Sequence, residues 1–121
     1  MGQLSAKLTL NSTTATTDNL SLSVSDTLNF SNDVIQRRIA TSDTAAVFLA
    51  AASYGKSYVF LKNLSTTATE IIYIRSGATD SANVHSLGAE EFIFFSWSGA
   101  EDLVYDAATG TPVLEILLFE V

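Results

Sequence analysis

Cysteine is absent from this 121-residue chain, and proline, histidine, tryptophan and methionine occur once each. Without cysteine there are no disulfide staples, no thiol nucleophile and no cysteine-bound zinc. The single histidine, His85, stands in a polar stretch with Asn83 and Ser86. As a metal ligand it would have only carboxylates for company, and as a general base it would need a nucleophile and an orienting acid. It reads as an ordinary surface or loop histidine. Basic residues are scarce too: six Lys and Arg face thirteen Asp and Glu, for a net charge of −7. Nucleic-acid binding needs clustered cations, and only Arg37-Arg38 are adjacent, so no nucleic-acid partner is expected.

Other signals are missing as well. Gly-x-Gly does not occur, so no phosphate-cradling loop and no nucleotide cofactor are expected. There is no Gly-x-Ser-x-Gly elbow. No apolar run approaches the ~18 residues of a membrane helix. Met1 to Leu10 lacks a basic region followed by an apolar stretch, so no secretory signal is visible. The expectation is a non-enzymatic protein without cofactor, metal or membrane anchor, not exported by the usual route.

What is present suits a folded β protein. Apolar residues make up 47% of the chain and charged residues only 16%, the reverse of a disordered composition. The length fits one domain that hides roughly two-thirds of its unfolded surface. Ser and Thr supply about a quarter of the residues, and β-branched and aromatic residues supply much of the rest.

Alternation marks the first strands. Leu4, Ala6, Leu8 and Leu10 share one parity, with polar residues between them. A polar, turn-rich stretch from Asn11 to Asn19 reads as a loop. Alternation resumes at Leu20, Leu22, Val24, Leu28 and Phe30, and Ser31-Asn32-Asp33 marks a turn. Val34 to Thr41 reads as a strand. Thr44 to Ser53 is ambiguous: its alanines favour helix, whereas Val47-Phe48-Leu49 favours a buried strand. The context tips it to strand.

The second half has a regular punctuation. Gly77, Gly88, Gly99 and Gly110 are eleven residues apart, and Gly55 precedes them by twice that gap. Leu64-Ser65-Thr66-Thr67 supplies the missing turn. Such spacing predicts a sandwich or barrel of short antiparallel strands. The strands are predicted at 57–62, 69–75, 91–97, 102–106 and 113–121, with 78–87 partly loop. The fold class is therefore all-β, an antiparallel β-sandwich over residues 1–121, with 1–19 as a possible extended N-terminal arm.

Three of these strands are apolar on both parities: Ile71-Ile72-Tyr73-Ile74, Phe92-Ile93-Phe94-Phe95 and Val113 to Phe119. An antiparallel sandwich normally solvates one face of each sheet. Cover on both sides implies another subunit, since large exposed apolar patches are unusual on a monomer. Phe92, Phe94, Trp97, Ile116, Leu118 and Phe119 are the residues expected to form core plus interface.

Other constellations are weaker. Glu90-Glu91 and Glu101-Asp102 are adjacent carboxylate pairs, but neighbours on a strand point to opposite faces and make no acid–base dyad. No calcium-loop motif accompanies them. Tyr54, Tyr58, Tyr73, Trp97 and Tyr105 are compatible with a sugar-stacking face or with core packing. The glycosylation patterns at Asn11, Asn19 and Asn63 read as chance matches in a Ser/Thr-rich chain.

Several stretches resemble small virion structural proteins of tailed bacteriophages, especially marine and cyanobacterial ones. They are Tyr58 to Ser65, Thr69 to Ile74, Leu87 to Trp97, Asp102 to Ala107 and Thr111 to Glu120. They are spread over residues 58–120, about half the chain, and themselves make up about a third of it. Where Leu87-Gly88-Ala89-Glu90-Glu91-Phe92 stands, that family would carry a Pro-Gly-Glu-Phe-like turn. The resemblance implies a jelly-roll-like sandwich acting as a capsid decoration or cement protein. Its implied partners are itself, as a homotrimer, and the major capsid protein or another virion protein. Its implied place is the capsid surface, after synthesis in the host cytoplasm. The alternative is a carbohydrate- or host-surface-binding module on a tail or fibre.

Overall fold

The computed structural model describes residues 2–14, 20–31 and 34–121; these contain ten strands and no helix. The chain divides into two compact units, residues 1–31 and 32–121.

The first unit is a two-stranded antiparallel ribbon of β1 (Gly2–Ser12) and β2 (Leu20–Phe30). Its register runs unbroken from Gly2 opposite Phe30 to Ser12 opposite Leu20. Opposed residues in an antiparallel pair share a face. One face therefore carries Leu4 with Leu28, Leu8 with Val24 and Leu10 with Leu22. The other carries Ser5 with Thr27, Lys7 with Ser25 and Thr9 with Ser23. Asn11 and Ser12, expected in a loop, extend β1 because they pair with Ser21 and Leu20. The Ser21 hydroxyl also donates to Asn11 Oδ1 at 3.2 Å. The rest of the expected loop, 15–19, and Asn32 and Asp33 of the expected turn lie outside the described residues.

The second unit is a sandwich of two four-stranded sheets in which every pairing is antiparallel. Its strands are β3 (Val34–Ala40), β4 (Ala46–Leu49), β5 (Ser57–Asn63), β6 (Ile72–Ser76), β7 (Asn83–Leu87), β8 (Phe92–Trp97), β9 (Leu103–Ala107) and β10 (Val113–Glu120). The first sheet has the order β3-β10-β5-β8 and the second β4-β9-β6-β7. Thr44 to Ser53 resolves as a short strand followed by a turn, closed by Ser53 N–H donating to the Ala50 carbonyl at 3.0 Å. Burial decided it, since Phe48 and Leu49 both enter the core.

The two inner faces supply that core. Val59 and Leu61 of β5 and Leu114, Ile116 and Leu118 of β10 meet Ile72, Ile74, Leu87 and Leu103 from the opposite sheet. Two buried polar groups tie loops to this core. Thr41 Oγ1 donates to the Pro112 carbonyl at 2.7 Å. The Asn63 amide donates to the carbonyls of Glu70 (2.8 Å) and Leu87 (3.0 Å), and its oxygen accepts from Ser65 N–H at 3.0 Å. With all these groups engaged and no exposed surface, Asn63 is a bracket between loops and no site for a glycan.

The glycine punctuation has a backbone cause at three of its four regular positions. Gly77, Gly99 and Gly110 have positive φ, the region a Cβ disfavours. At Gly99 a Cβ would also press against the backbone of Gly55 and Tyr54. Gly88 differs. In its turn, closed by Glu91 N–H to the Gly88 carbonyl at 3.1 Å, the positive φ of 63° falls on Glu90. That is the position where a Pro-Gly turn would put its glycine.

Candidate interaction face

The parity of β5 sends Ser57, Val59, Leu61 and Asn63 into the core. Tyr58, Phe60 and Lys62 must then point outward. The strand registers extend that outer face across the first sheet in three rows. The first row is Val34, Phe119, Tyr58 and Ser96. The second is Gln36, Leu117, Phe60 and Phe94. The third is Arg38, Glu115, Lys62 and Phe92. Two rows are almost wholly apolar and the third is mainly charged.

The aromatic side chains on this face are organised. The rings of Tyr58 and Phe94 stack with centroids 6.4 Å apart, and those of Phe60 and Phe92 lie 6.0 Å apart. Even so, Phe92 remains 61% exposed, Phe94 41% and Val34 44%. Lys56 Nζ sits 6.0 Å from the Tyr58 ring centroid. In the charged row Glu115 lies between two cations, and Arg38 engages it through Nε at 3.0 Å and Nη2 at 2.9 Å.

The six residues expected to form core plus interface separate by parity. Trp97, Ile116 and Leu118 are buried, and Trp97 Nε1 donates to the Glu101 carbonyl at 3.1 Å. Phe92, Phe94 and Phe119 belong to the outer face. Tyr58, Phe60 and Leu117 join them. A period-2 count within β5 from Val59 finds Tyr58 and Phe60, but in β10 a continuous apolar run hides which parity faces the core.

The five candidate sugar-stacking aromatics do not gather. Trp97 is buried with Tyr54 against it at 6.5 Å, and Tyr105 meets buried Phe48 at 6.2 Å. Tyr73 pairs in register with Asp106, and only Tyr58 lies on the outer face of the first sheet. His85 packs half-buried against Phe95, with ring centroids 5.8 Å apart. Among the described residues no group of three or more His, Asp or Glu side chains is placed to hold a metal ion.

Many carboxylates instead brace loops. Glu91 Oε1 accepts from Gly88 N–H at 2.8 Å, Asp102 Oδ1 from Ala51 N–H at 2.8 Å, and Glu70 Oε2 from the Ser65 hydroxyl at 2.8 Å. Arg75 is committed on the second sheet, to Asp106 Oδ2 and Asn83 Oδ1, both at 2.7 Å. The adjacent pair Arg37-Arg38 splits. Arg38 joins the outer face, while Arg37 Nη2 donates to the Phe48 carbonyl at 3.2 Å. A hollow lined by Leu64, Ser65, Glu70 and Pro112 opens widely to solvent, unlike the enclosing pockets that hold small ligands.

No family model matches the chain, and no curated protein and no solved structure matches it.

Proposed function

We propose that this chain is a structural subunit of a bacteriophage particle, a decoration or cement protein that oligomerises and stabilises the shell. The observation that carries the structural part is the outer face of the first sheet. A sandwich that already has a filled core carries Tyr58, Phe60, Phe92, Phe94, Leu117 and Phe119 on one outer face, with Phe92 and Phe94 exposed and the others half-buried. Such surfaces mark sites of protein association. The ribbon has the same property, with Leu8, Leu10, Leu20, Leu22 and Val24 all exposed. Two-stranded ribbons are marginal alone in water, so covering that apolar face stabilises them. The place on a capsid, the trimer and the capsid-protein partner rest on the resemblance of the second-half strands.

The strand order supports a jelly-roll reading of the sandwich. Successive strands from β3 to β6 alternate between the sheets, and the first and last sandwich strands, β3 and β10, are paired neighbours. That wrapping is how two Greek keys close into eight strands.

The carbohydrate-binding alternative draws on the same exposed aromatics. Four of the five rings are phenylalanine, however, and the polar side chains of the first two rows, Ser96 and Gln36, lie on the edge strands of the sheet, while Arg38 and Glu115 of the third engage each other. Specific sugar recognition needs polar groups beside the rings. The test is to add the purified chain to shells of its own particle. Decoration predicts saturable binding and a higher shell disruption temperature, with no retention on host polysaccharide. Retention on polysaccharide with unchanged shells would establish the alternative. A strictly monomeric mass by light scattering at micromolar concentration, with no shell binding, would refute the structural reading.

A further inference from the structure

The two sheets of the sandwich end on β3 and β8 and on β4 and β7. A free edge is a row of unpaired backbone groups, and proteins blunt such rows with bulges, short strands or inward-pointing charges. β4 has four residues and a register break at Phe48, and β7 has a break at Val84. On β3, Arg37 lies opposite buried Ile116 and so points inward, to the Phe48 carbonyl. β8 has none of these devices. Its six residues include no charge, no proline and no break in register. Ile93 and Phe95 point inward yet stay half-buried, whereas Leu61 and Val59 opposite them have no exposed surface. The free groups of this edge follow from the pairing. Asn63 N–H donates to the Glu91 carbonyl at 3.0 Å, which continues the β5–β8 register by one step. Bonding alternates along an antiparallel pair, so Ile93, Phe95 and Trp97 bond towards β5. Phe92, Phe94 and Ser96 present their N–H and C=O groups to the open edge.

We infer that β8 pairs edge to edge with β8 of a second copy, antiparallel about a two-fold axis at Phe94. The inference deepens the proposed oligomerisation by naming its contact, and a two-fold pair differs from the homotrimer that the resemblance implies. In this register Phe94 meets its own counterpart, and Phe92 of each copy meets Ser96 of the other. Every outward N–H of these residues then finds a carbonyl of the second copy. Opposed residues share a face, so the aromatic rows of the two outer faces become continuous. Charge permits this approach. A chain of net charge −7 repels its own copies, yet neither β8 brings a charge to the pair. β7, which reaches β8 through the contact of His85 with Phe95, carries no Asp, Glu, Lys or Arg either. Glu91, just before β8, comes to lie about 20 Å from its counterpart, beyond the Debye length of ~8–10 Å.

The chain lacks cysteine, so single introduced cysteines report the register. Residues opposite each other in a hydrogen-bonded pair have Cα atoms about 5.5 Å apart, within disulfide reach. Phe94→Cys should therefore cross-link to itself under mild oxidation. Ser96→Cys should do so at least about tenfold more slowly, since its counterpart lies about 14 Å away. Mixed with Phe92→Cys, it should cross-link readily. Sedimentation of the unaltered chain at tens of micromolar should give the mass of two copies. Ser96→Pro keeps the aromatic rows and every bond to β5, because the N–H it removes points outward. It should weaken pairing by about tenfold or more; circular dichroism checks its fold, and the cysteine readout does not depend on it. A monomeric mass, a mass of three copies, equal cross-linking of Phe94→Cys and Ser96→Cys, or a pair that Ser96→Pro leaves unchanged overturns the inference. A monomeric chain that still stabilises its shell refutes the pairing alone. A chain that pairs in this register yet ignores the shell refutes the phage placement and leaves the edge contact standing.

Discussion

The ribbon and the sandwich are built from the same pattern with different outcomes. In β1 and β2, Leu8, Leu10, Leu22 and Val24 alternate with polar residues, and all four are exposed by more than two-fifths. In β5 and β10, Val59, Leu61, Ile116 and Leu118 also recur at every second position, and none has exposed surface. Alternation therefore reports which face of a strand is apolar. It does not report whether that face has a partner. Burial is a property of two surfaces, and a single strand contains only one of them.

The outer face of the first sheet makes the same point within one strand. Ile116 and Leu118 of β10 are core, while Leu117 and Phe119 between and beside them face outward. Continuous apolar runs are expected where both faces are covered. Here only the inner cover belongs to the sandwich.

Four substitutions test the difference between the sandwich core and the exposed ribbon. The largest effect should come from Leu118→Asp, which places a carboxylate in the core with no cation facing it. A carboxyl there, charged or neutralised, lacks partners and replaces well-packed leucine atoms, a cost of several kcal/mol against the ~5–15 kcal/mol stability of an ordinary domain, so the variant should be largely unfolded by circular dichroism. A folded variant of unchanged stability would show that Leu118 is not core. Next comes Asn63→Leu, which strands the Glu70 and Leu87 carbonyls and the Ser65 N–H. A loss of about 2–5 kcal/mol in chemical denaturation is expected from these unpaired groups.

Smaller and opposite in sign is Glu90→Gly. Relieving the left-handed backbone at Glu90 should raise stability by roughly 1 kcal/mol, seen as an increase of several degrees in Tm. A decrease would mean that the Glu90 side chain contributes something its exposed position does not suggest. The smallest effect on folding should follow Leu22→Ser in the ribbon. Sandwich stability should change by less than about 0.5 kcal/mol, as for other exposed positions. The mass by light scattering should nonetheless fall if the ribbon's apolar face joins copies together. A large loss of sandwich stability would instead show that Leu22 is not an exposed position.

Much of the fold was legible in the residues. The glycine spacing marked the later turns because a positive φ favours glycine, and Gly77, Gly99 and Gly110 meet that requirement. Gly88 kept the spacing without the conformation, since its turn places the strain two residues later, on Glu90. The stretch 44–53 was ambiguous because alanine propensity and local hydrophobicity oppose each other there. Contact with the core decided it in favour of β4. The bracketing role of Asn63 was invisible in the chain, because its partners Glu70 and Leu87 lie seven and twenty-four positions away.

The candidate face was legible only in part. Phe92, Phe94 and Phe119 could be picked out as too apolar for a solvated surface, but Trp97, Ile116 and Leu118 looked the same. What the sequence alone determined was local: strand-forming residues, their periods, most of their turns, and an excess of apolar surface over what one sandwich can hide. Tertiary structure decided which parity faces the core, which strands lie side by side, and which scattered aromatic residues share one outer face. The physical reason is that period and turn chemistry act between chain neighbours. Register and burial depend on surfaces brought together from distant parts of the chain.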